Sequence, residues 1–397
     1  MKSIQLTSER SSKISPSKTL SISALSNKLR AEGKDIANLA VGQPDFPTPD
    51  YVKQAAVEAI AQNKTGYTAV DGIAELKEAI VRKTKRDSKL DYETEQIIVS
   101  CGAKHSLYNV CQAALNKGDE VIVPAPFWNS YPDIIKLAEG VPVTVTTTTE
   151  QGFKITAEQL QQHINERTRM LLLNSPNNPS GSVYTAEELT DLAEVLIKHP
   201  QVIICSDDIY EHFVFDGNTF SNILNVCPEL YPRCLIVNGV SKAYAMTGWR
   251  IGWTAGPADL ITAMKKIQSQ STSNPCSISQ AASQAALENS LDYVYMMRDA
   301  FAERRDYLAS ELNDIDGITL PTPAGSFYAF ADFSEAIARH PDISDDLELS
   351  KELLNQTHVS TVPGIAFGIE NHLRLSLAVS TEELQKAVER IRTFLAD

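Results

Sequence analysis

The chain has 397 residues, 43% of them hydrophobic and 22% charged, which is the composition of a globular protein long enough to form two domains. Its formal net charge of −14 argues against a nucleic-acid-binding surface and against binding to anionic membranes, although it leaves an acidic small molecule as a possible ligand. No apolar run reaches the roughly 18 residues of a membrane-spanning helix, and the Ser- and Lys-rich start shows no signal peptide, so we expect a cytoplasmic protein.

The first 49 residues combine one helical pattern with a proline-rich loop. Residues 20–34 have the spacing of a helix, which could pack against either of two domains. Residues 42–49 (GQPDFPTP) favour an irregular segment that runs over the surface or lines a cleft. We assign residues 1–49 to an N-terminal segment that joins the smaller, C-terminal domain.

The middle of the chain alternates strand patterns and helix patterns. Five apolar runs of strand length occur at residues 96–100, 120–124, 170–174, 202–206 and 234–238. Unbroken runs of this kind are typical of strands buried on both faces of a mostly parallel sheet. Between them, Thr156 with Gln159 and Thr185 with Glu188 form capping-box patterns that predict helix starts. We therefore predict a large α/β domain over residues 50–290.

The C-terminal residues 291–397 show a different pattern. A long helical stretch at 291–312 is followed by two strand-like segments, at 326–332 and 372–377. Ser380 and Glu383 form a third capping-box pattern, which predicts the start of a final helix. This order of elements predicts a smaller α+β domain.

The stretch Gly239–Gly252 (GVSKAYAMTGWRIG) carries the strongest functional signal. Lys242 comes directly after a predicted buried strand, and a lysine that acts as a Schiff-base nucleophile needs a desolvated site flanked by cations. Small residues beside it, including Ser241, leave room for a flat cofactor, and Arg250 can form a forked contact with a phosphate. A lone lysine in a loop is usually a solvated residue, but these neighbours reverse that expectation.

Two polar motifs follow predicted strands. Residues 174–181 (NSPNNPSG) contain Asn178, although the same composition would equally well form a simple Pro-Gly turn. Asp207 and Tyr210 follow the strand at 202–206, and side chains at the carboxyl end of a sheet strand point into the ligand crevice. An aspartate at such a place is also often only a turn former or a helix cap.

Two further signals concern anions. Gly102, Ala103 and Lys104 open a helix after the strand at 96–100, and the amides of a helix N-terminus can cradle a phosphate. Arg374 interrupts an apolar strand, where a buried arginine is costly unless it is paired. One glycine is a weak signal by itself, and the less favoured alternative for Arg374 is a surface residue of an edge strand.

Together these motifs resemble the class I and II aminotransferases of fold type I, which depend on pyridoxal phosphate, and the similarity extends from about residue 14 to about residue 394. The resemblance is closest to the prokaryotic subgroup of aspartate aminotransferases. It implies a homodimer with a mostly parallel sheet in a large domain, a smaller α+β domain, and a cofactor held as a Schiff base on Lys242. It also implies ping-pong transamination, in which the freed lysine amine moves a proton and L-aspartate or a related amino acid donates its amino group to 2-oxoglutarate.

The same resemblance implies a role for each cofactor contact. Asp207 pairs with the pyridine nitrogen, Tyr210 and Asn178 bond the ring hydroxyl oxygen, and Trp128 stacks on the ring. Tyr67 reaches the phosphate of the neighbouring subunit, and Lys242, Asp207 and Tyr67 form the implied catalytic set. The remaining implied cofactor contacts, most of them around the phosphate, are Gly102, Ala103, Lys104, Ser241 and Arg250. Two positions depart from the family pattern, with Ser180 in place of threonine and Asp208 in place of glutamate.

The resemblance also implies the substrate contacts. Arg374 clamps the α-carboxylate through a bidentate contact, Gly42 adds a backbone donor, and Lys104 holds the distal carboxylate of aspartate. Trp128 and Asn178 complete the implied substrate-binding set. Members that accept prephenate or arogenate carry a lysine where this chain has Ser15, so we expect weak activity with those substrates.

Several alternatives remain open at this stage. The chain could be an aminotransferase for aromatic amino acids, alanine or kynurenine, or a β-lyase that releases pyruvate and ammonia without an amino acceptor. A regulatory module without turnover would have lost the lysine or the carboxylate clamp, and both are present. A dinucleotide enzyme is disfavoured because no GxGxxG follows a strand. The six cysteines and seven histidines show no ligand spacing, so we expect no metal site and reduced thiols.

Overall fold

The computed structural model describes residues 6–14 and 18–396. Its helices are α1 (Glu9–Ser12), α2 (Lys18–Ala31), α3 (Asp50–Ala61), α4 (Ala74–Ser88), α5 (Ala103–Ala114), α6 (Tyr131–Leu137), α7 (Ala157–His163), α8 (Ala186–Ile197), α9 (Ile223–Val226), α10 (Ala258–Ser269), α11 (Ser277–Glu288), α12 (Asp292–Asn313), α13 (Ser334–Arg339), α14 (Asp346–Glu352) and α15 (Thr381–Ala396). Its strands are β1 (Ala37–Asn38), β2 (Ile97–Ser100), β3 (Glu120–Ala125), β4 (Val141–Thr146), β5 (Thr168–Asn174), β6 (Ile203–Asp207), β7 (Cys234–Gly239), β8 (Gly252–Ala255), β9 (Tyr328–Asp332), β10 (Val359–Ser360), β11 (Val362–Pro363) and β12 (His372–Ser376).

The largest sheet in the described part of the chain has seven strands in the order β2-β8-β7-β6-β5-β3-β4. Strands β3 to β7 run parallel to one another, whereas β8 is antiparallel to both of its neighbours, β2 and β7. The five predicted strands correspond to β2, β3, β5, β6 and β7. Two apolar clusters of buried side chains cover the two faces of this sheet, which confirms the predicted α/β class.

A smaller antiparallel sheet has the order β11-β12-β9, and it contains both strands predicted near the C-terminus. The N-terminal segment lies with this part of the chain. Strand β1 pairs in parallel with β10, and Ile22 of α2 packs against Ile36 and Leu354. The sequence left open which of the two predicted domains the N-terminal helix packs against. In the structure it packs against the C-terminal elements.

The predicted capping boxes form at two helix starts and change partner at the third. Thr156 and Thr185 cap α7 and α8 with reciprocal bonds to Gln159 and Glu188. At α15 the backbone N–H of Glu383 donates to Ser380 Oγ at 3.2 Å, but the Glu383 carboxylate accepts the N–H of Asn38 at 3.1 Å. The last helix thus fixes strand β1 rather than closing its own cap.

Four strands that point in the same direction end at one edge of the large sheet. Strands β2, β5, β6 and β7 end at Ser100, Asn174, Asp207 and Gly239, and all four end residues are buried. Carboxyl ends of parallel strands meet at one edge of a sheet, so this edge is where a ligand crevice is expected. No helix within residues 6–14 and 18–396 is long and apolar enough to cross a membrane.

Candidate active site

A cavity of about 810 Å³ opens at this edge, between the large sheet and the small one. Most residues predicted from the sequence to form a site line this one cavity. They are Gly42, Ala103, Lys104, Trp128, Asn178, Asp207, Tyr210, Ser241, Lys242, Arg250 and Arg374.

Lys242 lies in the loop after β7, and its Nζ donates a hydrogen bond to the carbonyl oxygen of Gly42 at 2.5 Å. The same Nζ lies 5.8 Å from the centre of the Tyr210 ring. Burial, together with the nearby charges of Arg374 and Arg250, lowers the pKa of Lys242 to about 8. A lysine in this state reaches the deprotonated form, which a nucleophile or a base needs, far more readily than a solvated lysine does.

Asp207 is the last residue of β6 and is buried. Its carboxylate accepts a hydrogen bond from Tyr131 Oη at 2.7 Å and a longer one from the Ile209 N–H at 3.3 Å. Burial raises the pKa of Asp207 to about 6, and the hydrogen bond from Tyr131 opposes that rise. Asn174 donates to the Asp207 backbone carbonyl at 2.9 Å and so joins the ends of β5 and β6.

The start of α5 forms a concave surface of backbone amides. Gly102, the residue before the helix, has φ +88°, and a Cβ there would lie 2.2 Å from Arg250 Nη2, so only glycine fits. Arg250 is held by the carbonyls of Thr247 and Cys101, at 2.9 and 3.3 Å. A guanidinium beside a helix N-terminus is suited to binding a phosphate.

Lys104 lies one residue into the same helix and points toward the aromatic side of the cavity. Its Nζ is 4.8 Å from the centre of the Trp128 ring. Burial lowers the pKa of Lys104, and Arg250 adds a smaller effect in the same direction. The ring of Trp128 in turn packs edge-on against Tyr131 at 5.4 Å.

Arg374, in the middle of β12, is buried against the opposite wall. Its Nη1 donates to Asn178 Oδ1 at 3.1 Å and its Nη2 donates to the Ala40 carbonyl at 2.9 Å, while the guanidinium lies 4.3 Å from the Tyr328 ring centre. Its Nε has no partner among the described residues. A buried guanidinium with an unused donor is costly unless a ligand supplies an acceptor, so the geometry favours an anion at this place. The alternative of a surface arginine on an edge strand is therefore excluded, since Arg374 is buried and β12 is the central strand of its sheet.

Gly102, which precedes α5, does not line the cavity, although its neighbours Ala103 and Lys104 do. Two further predicted positions lie outside this arrangement. Tyr67 is 96% exposed, in the loop between α3 and α4, and does not line the cavity of its own chain. Ser15, on which the expectation about prephenate and arogenate depends, lies outside the described residues. Asp208 is buried and bonded to Ser206 and Asn222, both at 2.6 Å, and also does not line the cavity.

Among the residues of the cavity wall that the sequence interpretation missed, three contact predicted site residues directly. Tyr131 and Asn174 both bond Asp207, and Tyr328 stacks on Arg374 while its hydroxyl lies 3.3 Å from that of Tyr210. Asn174 was part of a recognised motif, and Tyr328 belonged to a predicted strand. Tyr131 carried no local signal except its place three residues after Trp128.

The chain matches the family model described as aminotransferase class I and II over residues 34–391. It is 50% identical over 394 residues to an aspartate/prephenate aminotransferase of Nitrosomonas europaea, covering 98% of this chain and 99% of that protein. It is 47% identical over 386 residues to an aspartate aminotransferase of Rhizobium meliloti, covering 96% and 94%.

Solved structures agree with these relatives. An aspartate aminotransferase from Rhizobium meliloti superposes with a TM-score of 0.96 at 45% identity, covering 99% of both chains. An aspartate aminotransferase from Thermus thermophilus with maleate superposes with a TM-score of 0.92 at 41% identity, covering 98% of this chain and all of that one. The similarity extends over the whole of both sheets and the cavity between them.

Proposed function

Since the chain belongs to the class I and II aminotransferases, we propose that it transfers the amino group of L-aspartate to 2-oxoglutarate, with pyridoxal phosphate held on Lys242. The observation that supports this proposal is the joint placement of a lysine of lowered pKa and three further cationic side chains, Lys104, Arg250 and Arg374, in one cavity. Lys242 suits the cofactor, and Lys104 and Arg374 suit the two carboxylates of a dicarboxylic amino acid.

The residues present fit pyridoxal phosphate. The cavity has room for a flat ring, and the start of α5 with Gly102 and Arg250 presents amides and a guanidinium that suit its phosphate. Asp207 offers a carboxylate to a ring nitrogen, and Asn178 and Tyr210 offer polar groups to a ring hydroxyl. Ala103, Ser241 and Trp128 complete the proposed contacts. When bound, this cofactor supplies an electron-poor ring that takes up the negative charge developing at the substrate Cα.

The proposed chemistry assigns a separate task to each side of the cavity. Lys242 would bind the cofactor, and once its amine is free it would take the Cα proton of the substrate as a general base. As a general acid it would then deliver that proton to the cofactor carbon to which the lysine had been joined. Asp207 holds a proton on the ring nitrogen. On the other side, Arg374 binds the substrate α-carboxylate with a planar fork, and the backbone of Gly42 contributes to the same carboxylate.

The specificity for aspartate rests on Lys104. Lysine is a compact cation, and its Nζ is placed beside the Trp128 ring, where burial makes an unpaired charge costly. A second substrate carboxylate would relieve that cost, whereas an alanine methyl group or an aromatic ring would not. The relatives named above act on aspartate by name, and the solved Thermus thermophilus structure contains maleate, a dicarboxylate. Aminotransferases for alanine, aromatic amino acids or kynurenine, and β-lyases, are the alternatives.

Initial rates with a panel of amino donors and 2-oxoglutarate test the proposal. We expect aspartate to be the best donor, with arogenate and phenylalanine far behind. Prephenate is the second candidate amino acceptor, because the Nitrosomonas europaea relative is named for it, and Ser15 predicts that it is a poor one. Pyruvate and ammonia released without an acceptor would instead indicate a β-lyase.

Lys104→Ala should lower kcat/KM for aspartate by about 10- to 100-fold, because a charged hydrogen bond of ~1.5–3 kcal/mol is lost. The loss for alanine should be much smaller, since alanine has no distal carboxylate. Lys154→Ala is the matched control, since it removes a half-buried lysine that pairs with Glu188 and does not line the cavity. Equal losses for aspartate and alanine would make Lys104 a cofactor or folding residue.

We also propose a homodimer in which Tyr67 reaches the phosphate of the neighbouring site. The loop that carries Tyr67 is tied to its own chain, because Gln280 donates to Thr68 Oγ1 at 3.1 Å and Gln268 donates to the Val70 carbonyl at 2.6 Å. Yet Tyr67 is almost fully exposed. An exposed aromatic ring on a loop that is fixed by hydrogen bonds is typical of a protein–protein interface. Val57 of α3 is also more than half exposed.

Subunit mixing tests this arrangement. Homodimers of Tyr67→Ala and of Lys242→Ala should both be nearly inactive. In a mixed dimer, one site combines an intact Lys242 with an intact Tyr67 from the other subunit, so an equimolar mixture after subunit exchange should recover about a quarter of the wild-type activity. A mixture as inactive as its components would show that Tyr67 serves the site of its own chain.

Two coarser assignments accompany this function. We propose that residues 1–49 join a small domain of residues 291–397, since β1 pairs with β10, and that residues 50–290 form the cofactor-binding domain. We also propose a cytoplasmic location, in keeping with six cysteines that form no disulfide. Small amino acids and 2-oxo acids are then the partners of this site.

A further inference from the structure

The buried hydroxyl of Tyr131 has no assigned role, although it makes a short contact in the cavity. Tyr131 is the first residue of α6 and its side chain is fully buried. Its Oη donates to Asp207 Oδ2 at 2.7 Å, across 76 positions of sequence. Its ring packs edge-on against Trp128, so the hydroxyl is fixed in direction by an aromatic neighbour that lines the same cavity.

We propose that Tyr131 is a positioning residue that keeps the Asp207 carboxylate ionised and oriented to pair with the ring nitrogen of the cofactor. The inference rests on the proposed function, because it concerns the same site and the same cofactor. It adds a residue that acts on the cofactor only through its hydrogen bond to Asp207.

The direction of the hydrogen bond is fixed by the chemistry of its surroundings. Burial and the neighbouring carboxylate raise the pKa of Tyr131 well above its ordinary value, so its hydroxyl stays protonated and donates. The Ile209 N–H donates to the other carboxylate oxygen at 3.3 Å. Each carboxylate oxygen therefore already has one donor, and a lone pair is left for a ring N–H that enters from the cavity.

Removing the donor at Oδ2 would favour the protonated form of Asp207. A hydrogen bond to a carboxylate stabilises the charged state, and burial acts against it. The other titratable groups that face Asp207 are Lys242, Tyr210, Asp208 and Cys205. The positive charge of Lys242 lowers the pKa of Asp207 as well, but it does not lie within hydrogen-bond distance of the carboxylate in the described contacts. Tyr131 is thus the side chain that supplies the direct donor.

The test is the pH dependence of cofactor binding to apoenzyme. Affinity for pyridoxal phosphate is measured from about pH 5 to about pH 9 for wild type, Tyr131→Phe and Tyr184→Phe. Tyr184 is the matched control, since it is a buried tyrosine that loses a hydrogen bond, from the Ile155 N–H at 3.0 Å, without touching Asp207. In Tyr131→Phe the acidic limb of the affinity profile should move up by about one pH unit, which near that limb weakens binding by about tenfold. In Tyr184→Phe the limb should coincide with wild type.

Coincident acidic limbs for Tyr131→Phe and wild type would overturn the inference and leave Tyr131 as a packing residue. A wild-type protein that binds no pyridoxal phosphate at any pH would overturn the proposed function instead, so the two failures are distinguishable. Should Tyr131→Phe not fold, 3-fluorotyrosine placed at position 131 alone keeps the ring and strengthens the donor. The limb should then move to lower pH, and a limb that stays in place or moves up would equally overturn the inference.

Discussion

Lys242→Ala is expected to lower kcat by on the order of 10⁴-fold or more, the largest effect of any single substitution in this chain. The substitution removes both the group that holds the cofactor and the amine that moves the Cα proton. It also frees the carbonyl of Gly42, which Lys242 contacts at 2.5 Å, but that loss alone concerns one hydrogen bond. Single-turnover rates with aspartate measure the effect without interference from product release.

Borohydride reduction identifies the lysine directly. In wild-type holoenzyme the reduced cofactor should map to the peptide that contains Lys242, and Lys242→Ala should yield no such adduct. Lys154→Ala, which changes a lysine outside the cavity, should retain both the adduct and the activity. An adduct on any other lysine, or none after reconstitution, would refute the assignment of Lys242.

Arg374→Lys should reduce kcat/KM by about tenfold to several hundredfold for every amino acid tested. Lysine keeps the positive charge but loses the planar fork, which would otherwise bind both oxygens of the α-carboxylate. Asn178 Oδ1 and the Ala40 carbonyl already accept from the two terminal nitrogens of Arg374. The three N–H groups of a lysine ammonium diverge from a single nitrogen, so lysine cannot keep these contacts and also present two parallel donors to one carboxylate. Steady-state kinetics with aspartate and with alanine measure the change.

The comparison between acidic and neutral donors decides the role of Arg374. A uniform loss supports binding of the α-carboxylate, which all amino acids share. A loss confined to aspartate would move Arg374 to the distal carboxylate and reverse its division of roles with Lys104. The absorption spectrum of the holoenzyme serves as the control and should be retained, because no contact of Arg374 with the cofactor is proposed.

The strands of the sheet could be predicted from sequence where both of their faces are buried. Strands β3, β5, β6 and β7 appear as unbroken apolar runs because helices cover the sheet on both sides. The edge strand β4 (VPVTVT) was missed, since most of its side chains are exposed or half-buried and its sequence is rich in threonine. The short β8 was also missed, because four residues after the RIG segment carry too little pattern.

The cavity could be predicted only in part, for a similar physical reason. Residues within a recognisable motif, such as Lys242 and Arg250, were found because their neighbours carry local information. The contact between Tyr131 and Asp207 joins residues 76 positions apart, and the one between Arg374 and Ala40 joins residues 334 positions apart. Pairings over such distances depend on how the sheets pack, and no local pattern in the chain encodes them.

Two functional side chains, Lys242 and Arg374, donate hydrogen bonds to the same short segment of backbone. Lys242 donates to the carbonyl of Gly42 and Arg374 donates to the carbonyl of Ala40, while Asn38, two residues earlier, is bound by Glu383 of the last helix. The backbone of residues 38–42 therefore sets the distance between Lys242 and Arg374, because both side chains are bonded to it. Transfer of this carboxylate-binding site to another protein would therefore require residues 38–42 together with β12 and the start of α15. An arginine transferred alone would lack the backbone carbonyl that orients its guanidinium.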